Sequence, residues 1–325
     1  MTYDLSESIY ALSVASRDRC INSVKFDSSG IYCLTAGNDR SVRLWNPAKQ
    51  LHIKRFFGPH NYQVNDVCLS GDSTHFVSVG AEHSAFYWDT LEGKVLRKFN
   101  HGGSIACCNY MADKSLVCTG SDDRSVRFWD HRSRGAVSTL SDAKDSISSV
   151  QEREKVILVS SIDGAVRSYD LRKGLLKTDY FNKPIVNVCV SSAIEDCYIA
   201  SVLDDAVLLV EHGDVLESYR GHTCDSYRIQ CVFTPYEEFI LCGSSTGTLF
   251  CWPLSDNGSC VTVPNAHEGP VTTIAFSNPA LIKDGKLVRD LEKNVRESLK
   301  RDGDLMVSGG KDGYLRVWRF YNSQL

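Results

Sequence analysis

Several things are missing from this sequence, and each absence excludes a class of protein. No apolar run approaches the roughly 18 residues of a membrane-spanning helix, and the start of the chain has no basic segment followed by an apolar one. Neither a membrane span nor a secretory leader is therefore expected. No Cys-x-x-Cys pair occurs among the thirteen Cys, and the odd count leaves one without a partner. Cys33, Cys68, Cys107, Cys108, Cys118, Cys231, Cys242 and Cys251 are scattered, mostly in strand-like apolar runs. They read as buried free thiols of a reducing compartment, and the sequon Asn257-Gly258-Ser259 is then expected to stay unmodified. Zinc needs clustered ligands, and no cluster is seen, so no metal or other cofactor is expected. There is no Gly-x-Ser-x-Gly, no phosphate-cradling Gly loop and no His-Glu-x-x-His. Charge of one sign is lacking too: 36 Lys and Arg face 40 Asp and Glu, for a net −4. That balance leaves no general case for a nucleic-acid binder. Three Met and eight Pro argue against disorder, and 42% hydrophobic residues are ample for a core.

What is there is a repeat. Gly120-Ser121-Asp122-Asp123-Arg124-Ser125-Val126-Arg127-Phe128-Trp129-Asp130 joins a tight polar turn to an alternating strand ending in Trp-Asp. Ala36 to Asn46, Ser161 to Asp170 and Gly309 to Trp318 are versions of it. The Trp position falls at Trp45, Trp88, Trp129, Tyr169, Val210, Trp252 and Trp318, in steps of 43, 41, 40, 41, 42 and 66. Five of the six steps fit a unit of roughly 40–45 residues, the length of four short strands. Repeats read this way begin near Phe56, Val95, Ala136, Leu175, Val215 and Cys260. An acid stands six before the marker at Asp39, Asp123, Asp163, Asp204 and Asp312, where it can accept backbone N–H groups of the turn. Glu82 and Thr246 replace it in two repeats. Gly221-His222, or the relics Pro59-His60, Asn100-His101 and Ala266-His267, precede four of them. Arg43, Arg127, Arg167 and Arg316, two before the marker, read as long stems lying over a blade surface.

The long last step carries an insertion, 279–303. Leu287, Leu291, Val295 and Leu299 recur every four residues, and Glu292–Arg296 and Glu297–Arg301 are helix-supporting i,i+4 pairs. The expectation is an amphipathic helix, either folded back on the body or docking a partner through Leu287, Leu291 and Val295. At the chain start, the strand-like run Ser8 to Val14 has no repeat of its own. Only seven residues follow Trp318, so that run is expected to complete the last sheet and hide its edge.

This pattern resembles the WD-repeat family, whose fold is a closed β-propeller. The resemblance implies an all-β, seven-bladed WD40 β-propeller closed by the N-terminal strand, with a short helical insertion in blade seven, in a single domain over 1–325. It also implies a hydrogen-bonded His, Ser/Thr, Asp, Trp network inside each blade. The best matched sets are His101, Thr119, Asp123, Trp129 and His267, Ser308, Asp312, Trp318. Because such sets recur once per blade, they read as structural rather than as catalytic triads, and no enzyme is expected. In the family's topology the loops before the inner strands and the turns after the second strands share the narrower face. There the chain offers Arg40, Tyr62, His83, Arg124, Tyr227, Lys311 and Tyr314, residue types that anchor protein interfaces.

A closer resemblance rests on Ile31 to Thr35 with Leu44-Trp45-Asn46-Pro47, on Trp129 to Arg134 with Thr139 to Asp145, on Ser161 to Arg172 with Asp179-Tyr180, and on Tyr219-Arg220-Gly221-His222. These segments are similar to the mitogen-activated protein kinase organiser family. That implies a non-catalytic scaffold in nucleus and cytoplasm, whose partners are splicing factors and MAP kinase pathway proteins. No small-molecule substrate or membrane is implied, and RNA contact only within a larger complex. Trp129-Asp130-His131-Arg132 also resembles the motif by which some WD proteins engage a cullin-RING ubiquitin ligase adaptor, which makes a substrate receptor the alternative reading.

Overall fold

The computed structural model describes residues 8–13, 20–111, 116–153, 155–224, 228–254, 260–277 and 304–320. The helix expected within 279–303, with Leu287, Leu291 and Val295, lies outside the described residues, as does Tyr227. Every regular element among the described residues is a strand, and the strands form seven four-stranded antiparallel sheets, the blades of a propeller. The first strands of the blades are Ile21–Phe26, Val64–Leu69, Ile105–Tyr110, Ile147–Arg153, Ile185–Val190, Cys231–Phe233 and Val271–Phe276. Each touches its neighbours on either side, so these strands ring the axis. Side chains on both of their faces are buried because a blade stands between two others. The fourth strands, such as Val95–Asn100, are almost wholly exposed and form the rim.

The repeat in the sequence and the blade in space are offset by one strand. Val95–Asn100, expected to open the third repeat, pairs with Ser84–Asp89 of blade two, Ser84 opposite Asn100. Each repeat thus spans a blade junction. In the seventh sheet, Ser8–Ser13 pairs antiparallel with Tyr314–Phe320, Ser8 opposite Trp318 and Ser13 opposite Tyr314. Blade one packs on blade seven through Ile21, Val24, Cys33, Val307, Leu315 and Val317.

A polar seam runs round the ring at the third residue of the inner strands. The ladder shifts register between Val64 and Asp66, and likewise at Ile21/Ser23, Ile147/Ser149, Ile185/Asn187 and Val271/Thr273. Such a bulge aims the third side chain at the neighbouring blade. Ser23 Oγ donates to Asp66 Oδ1 at 2.6 Å, and the Cys108 N–H donates to Asp66 Oδ2 at 3.1 Å, joining blades one, two and three. The Val188 N–H donates to Ser149 Oγ at 3.1 Å, and the Cys231 N–H to Asn187 Oδ1 at 3.3 Å. Thr273 donates to Gln230 Oε1 at 2.7 Å and accepts the Val24 N–H at 3.1 Å, joining blades six, seven and one. The junction between blades three and four is apolar instead. Ile147 lies against Gly120 so closely that a Cβ there would come within 2.5 Å of its Cγ2.

Asp66 is 3% exposed and satisfies three donors, including the Val67 N–H. Replacing it by Ala strands them in the interior, so Asp66→Ala is expected to cost about 3 kcal/mol in urea unfolding. Thr273→Val, which breaks one seam contact on each side, should cost about 1–2 kcal/mol.

Candidate protein-interaction face

Two blades carry a complete relay from third-strand Trp to turn. In blade seven Trp318 Nε1–H donates to Ser308 Oγ at 2.9 Å, Ser308 lies 2.8 Å from His267 Nε2, and His267 Nδ1 lies 2.9 Å from Asp312 Oδ1. Burial pushes the Asp312 carboxyl up, but the His267 bond and charge, together with the Tyr314 and Glu268 N–H bonds, outweigh it and hold the group below the ordinary range. The carboxylate accepts only, so His267 carries its proton on Nδ1 and Ser308 donates to Nε2. Blade two has the same chain: Trp88 Nε1–H to Ser78 Oγ at 2.8 Å, Ser78 to His60 Nε2 at 2.6 Å, and His60 Nδ1 to Glu82. In blade three Trp129 reaches Thr119 at 2.8 Å and Thr119 reaches His101 Nε2 at 2.6 Å, but His101 Nδ1 stops 3.7 Å from Asp123, outside bonding distance. Ser78, Thr119 and Ser308 are each 0% exposed and saturated, so no substrate can reach these hydroxyls.

The turn acids also clamp the loops leading to the inner strands: Gly102 N–H to Asp123, Lys144 N–H to Asp163, Glu268 N–H to Asp312 and Tyr62 N–H to Glu82. Arg43, Arg127 and Arg167 do not simply lie over a blade. Their guanidiniums pair with Asp39, Asp123 and Asp163 of their own turns at 2.5, 3.1 and 2.7 Å. Alternation put them on the marker's face of the strand, and the acid four residues earlier decides where they end.

Blade six is the defective copy. Cys242 stands where blades one, two, three and seven have Thr35, Ser78, Thr119 and Ser308, and Thr246 replaces the acid. His222 is 1% exposed, edge-on to Phe250 and Trp252, and neither ring nitrogen has a partner. Burial lowers its pKa to about 4. Burial, with Arg127 nearby, lowers that of His101 to about 4 as well.

Loops before inner strands and turns after second strands share one end of an antiparallel blade, here called the upper face. Arg40, Tyr62, His83, Arg124 and Lys311 are exposed there, Tyr62 by 61%, and Tyr314 is half-buried. Arg40 (φ 62°) and Arg124 (φ 67°) adopt the left-handed conformation at their turns. At the equivalent positions blades four, six and seven have Gly164, Gly247 and Gly313. A side chain there is disfavoured by about 1 kcal/mol relative to Gly. Local strain kept in exchange for an exposed guanidinium points to function at the turn tip. The sequence reading missed Phe57, 65% exposed under the Arg55 guanidinium at 4.9 Å. The signal was the pair Phe56-Phe57, of which alternation lets only one face inward.

Trp129-Asp130-His131-Arg132 lies at the opposite end of blade three. Arg132 folds back on Asp130, with Nη2 to Oδ2 at 2.8 Å, and His131 stacks on Tyr87. The Arg132 bonds hold the Asp130 carboxyl down at about 2.

A family model described as "WD domain, G-beta repeat" matches residues 7–46, 51–89, 93–130, 213–253 and 286–319, more than half of the chain. The chain belongs to the WD40-repeat family. The matched segments leave out 131–212, where Tyr169 and Val210 replace the marker Trp, yet blade four and three strands of blade five stand there. WD repeat domain-containing protein 83 of Rattus norvegicus is 35% identical over 269 residues, 81% of this chain and 84% of the rat protein. An uncharacterized WD repeat-containing protein of Schizosaccharomyces pombe is 38% identical over 265 residues, 80% of this chain and 89% of its own. The U5 small nuclear ribonucleoprotein 40 kDa protein of Dictyostelium discoideum is 29% identical over 156 residues, 47% of this chain and 44% of its own. Within the WD40 proteins, the relatives that cover most of the chain place it in the mitogen-activated protein kinase organiser family.

Two outcomes follow for this WD40 chain. Ser308→Ala leaves Trp318 Nε1 and His267 Nε2 unpaired and should cost about 2 kcal/mol, whereas His222→Phe, which removes two orphaned nitrogens, should be neutral or stabilising in the same urea titration. The folded pKa values of His101 and His222 lie below the ordinary histidine value, so the unfolded chain binds more protons. Stability is full above about pH 6.5 and falls as pH drops towards 4, by about 2 kcal/mol per histidine between pH 7 and pH 5. His222→Phe should remove half of that slope.

Proposed function

We propose that this WD40 chain is a non-catalytic protein-interaction scaffold, a component of a pre-mRNA splicing assembly that also organises a MAP kinase cascade, in nucleus and cytoplasm. The observation that carries the reading is the pair of left-handed, exposed Arg40 and Arg124 on the upper face, beside Tyr62, Phe57, His83 and Lys311. Arg and aromatic side chains supply most interface hot spots. The name of the U5 relative supports the splicing part and the organiser family supports the kinase part. RNA is met only within the larger complex. In this reading residues 1–325 act as one domain, Ser8–Ser13 closes the ring, and the helix of 279–303 is a second docking element. The substrate-receptor alternative needs Arg132 to leave Asp130 for an adaptor.

The test is affinity purification from nuclear and cytosolic extracts with the intact chain and with the Arg40→Gly/Arg124→Gly pair. Gly suits a left-handed turn, so the double variant should be up to about 2 kcal/mol more stable while losing its partners. Splicing factors in the nuclear eluate, lost in the stabilised variant, are the expected result. Partners retained in full by the variant would overturn the use of this face. A cullin-RING adaptor in the eluate, lost on Arg132→Glu, would move the reading to the substrate receptor.

A further inference from the structure

At the upper mouth of the central channel a cavity of about 270 Å³ opens between the inner strands of blades three, four and five. Its walls include Ile147, Val186 and Leu203, with Ser146 and Asp122 at the rim. Arg228, which leads into the inner strand of blade six, reaches across the channel, and its Nη1 donates to the Ala106 carbonyl of blade three. This bond fixes the guanidinium plane and uses one of its five N–H groups. The Nε–H is buried and has no partner, and Arg228 forms no ion pair among the described residues. With Nη1 engaged, the Nε/Nη2 edge remains without a partner among the described residues, the edge that grips both oxygens of a carboxylate. A second cation, Lys25, lies on the inner strand of blade one and is half-buried. Burial raises the thiols of Cys107 in blade three and Cys189 in blade five, and the Lys25 charge acts against that rise on both. The nearby buried acid, Asp66, already accepts three hydrogen bonds.

We propose that this cavity is a receptor for an acidic side chain: a glutamate on a loop of a partner protein enters the channel mouth, lays its methylenes against Ile147, Val186 and Leu203, and gives its carboxylate to the Nε/Nη2 edge of Arg228. The proposal deepens the scaffold reading and rests on it for the partner. It needs neither catalysis nor metal. Asp122 shares the rim and is exposed, so its charge weakens the site without occupying it.

The full-length ¹⁵N-labelled protein is titrated with acetyl-Gly-Glu-Gly-amide while the Arg228 Nε–H resonance, assigned by its absence from Arg228→Lys, is followed. The Glu peptide should shift it saturably, and acetyl-Gly-Gln-Gly-amide should leave it in place. Inorganic phosphate at equal concentration should give no saturable shift, because a bare anion cannot use the apolar walls. Arg228→Lys should bind at least about tenfold more weakly, since an ammonium lacks the planar fork. Asp122→Asn should bind more tightly, about threefold, by losing a like charge at the rim. Ser146→Phe, which fills the cavity and leaves Arg228 in place, should abolish the shift, and it keeps the test valid where Arg228→Lys unfolds. No saturable shift with the Glu peptide, an equal shift with the Gln peptide, or unchanged affinity in Ser146→Phe would overturn the proposal. None of these readouts uses an extract, so their failure leaves the scaffold reading to the Arg40/Arg124 experiment.

Discussion

Asp66 and the seam to which it belongs carry the constraint on which the rest of the ring depends. A propeller has no single core. Each blade is a twisted sheet that buries apolar faces against two neighbours, and apolar contact alone does not fix how one sheet slides on the next. The bulge at the third residue of the inner strands turns a polar side chain out of the ladder and into the next blade, where it meets a backbone N–H at Cys108, Val188, Cys231 or Val24. Leaving such a donor unpaired costs more than pairing it gains, so the seam acts against misregister more than it adds net stability. Where the third residue is Cys107, the register is set by shape instead, through Ile147 seated on Gly120.

The relays inside the blades do the corresponding work radially. They tie the third-strand Trp to the turn acid, and the acid clamps the loop that brings the chain back to the axis. Because the hydroxyls of Ser78, Thr119 and Ser308 are enclosed, an arrangement that looks on paper like a hydrolase triad is inert. The turns themselves remain as the variable positions. Blades four, six and seven place Gly at the left-handed residue, whereas blades one and three place Arg there, against backbone preference. Structure is held by the buried half of the motif and function is presented by its exposed tip.

Much of this was legible in the sequence. The marker spacing gave seven units even across Tyr169 and Val210, since spacing is set by strand and turn lengths that survive loss of the Trp. The turn acids were legible for the same reason. Three things were not. Glu82 was read as a departure, yet its longer side chain reaches His60 as Asp312 reaches His267. Arg43, Arg127 and Arg167 were read as surface stems, because strand alternation says which side a residue faces and not which acid waits there. Arg228 was invisible, since its partner Ala106 lies three blades away and only the arrangement of the blades about the axis brings them together. Blade six shows the reverse case: Gly221-His222 is a fine match to the pattern, and the histidine it supplies is the one whose ring nitrogens find no partner.

The most direct test of the account is a hydrogen-exchange footprint of the chain, alone and in a complex recovered from nuclear extract. The account predicts slowed exchange at the upper-face turns, residues 38–41, 81–84 and 122–125, and in the loop 57–63, with the opposite turns 46–50 and 130–135 unchanged. Protection confined to those opposite turns would contradict it and would move the partner surface to the other end of the propeller.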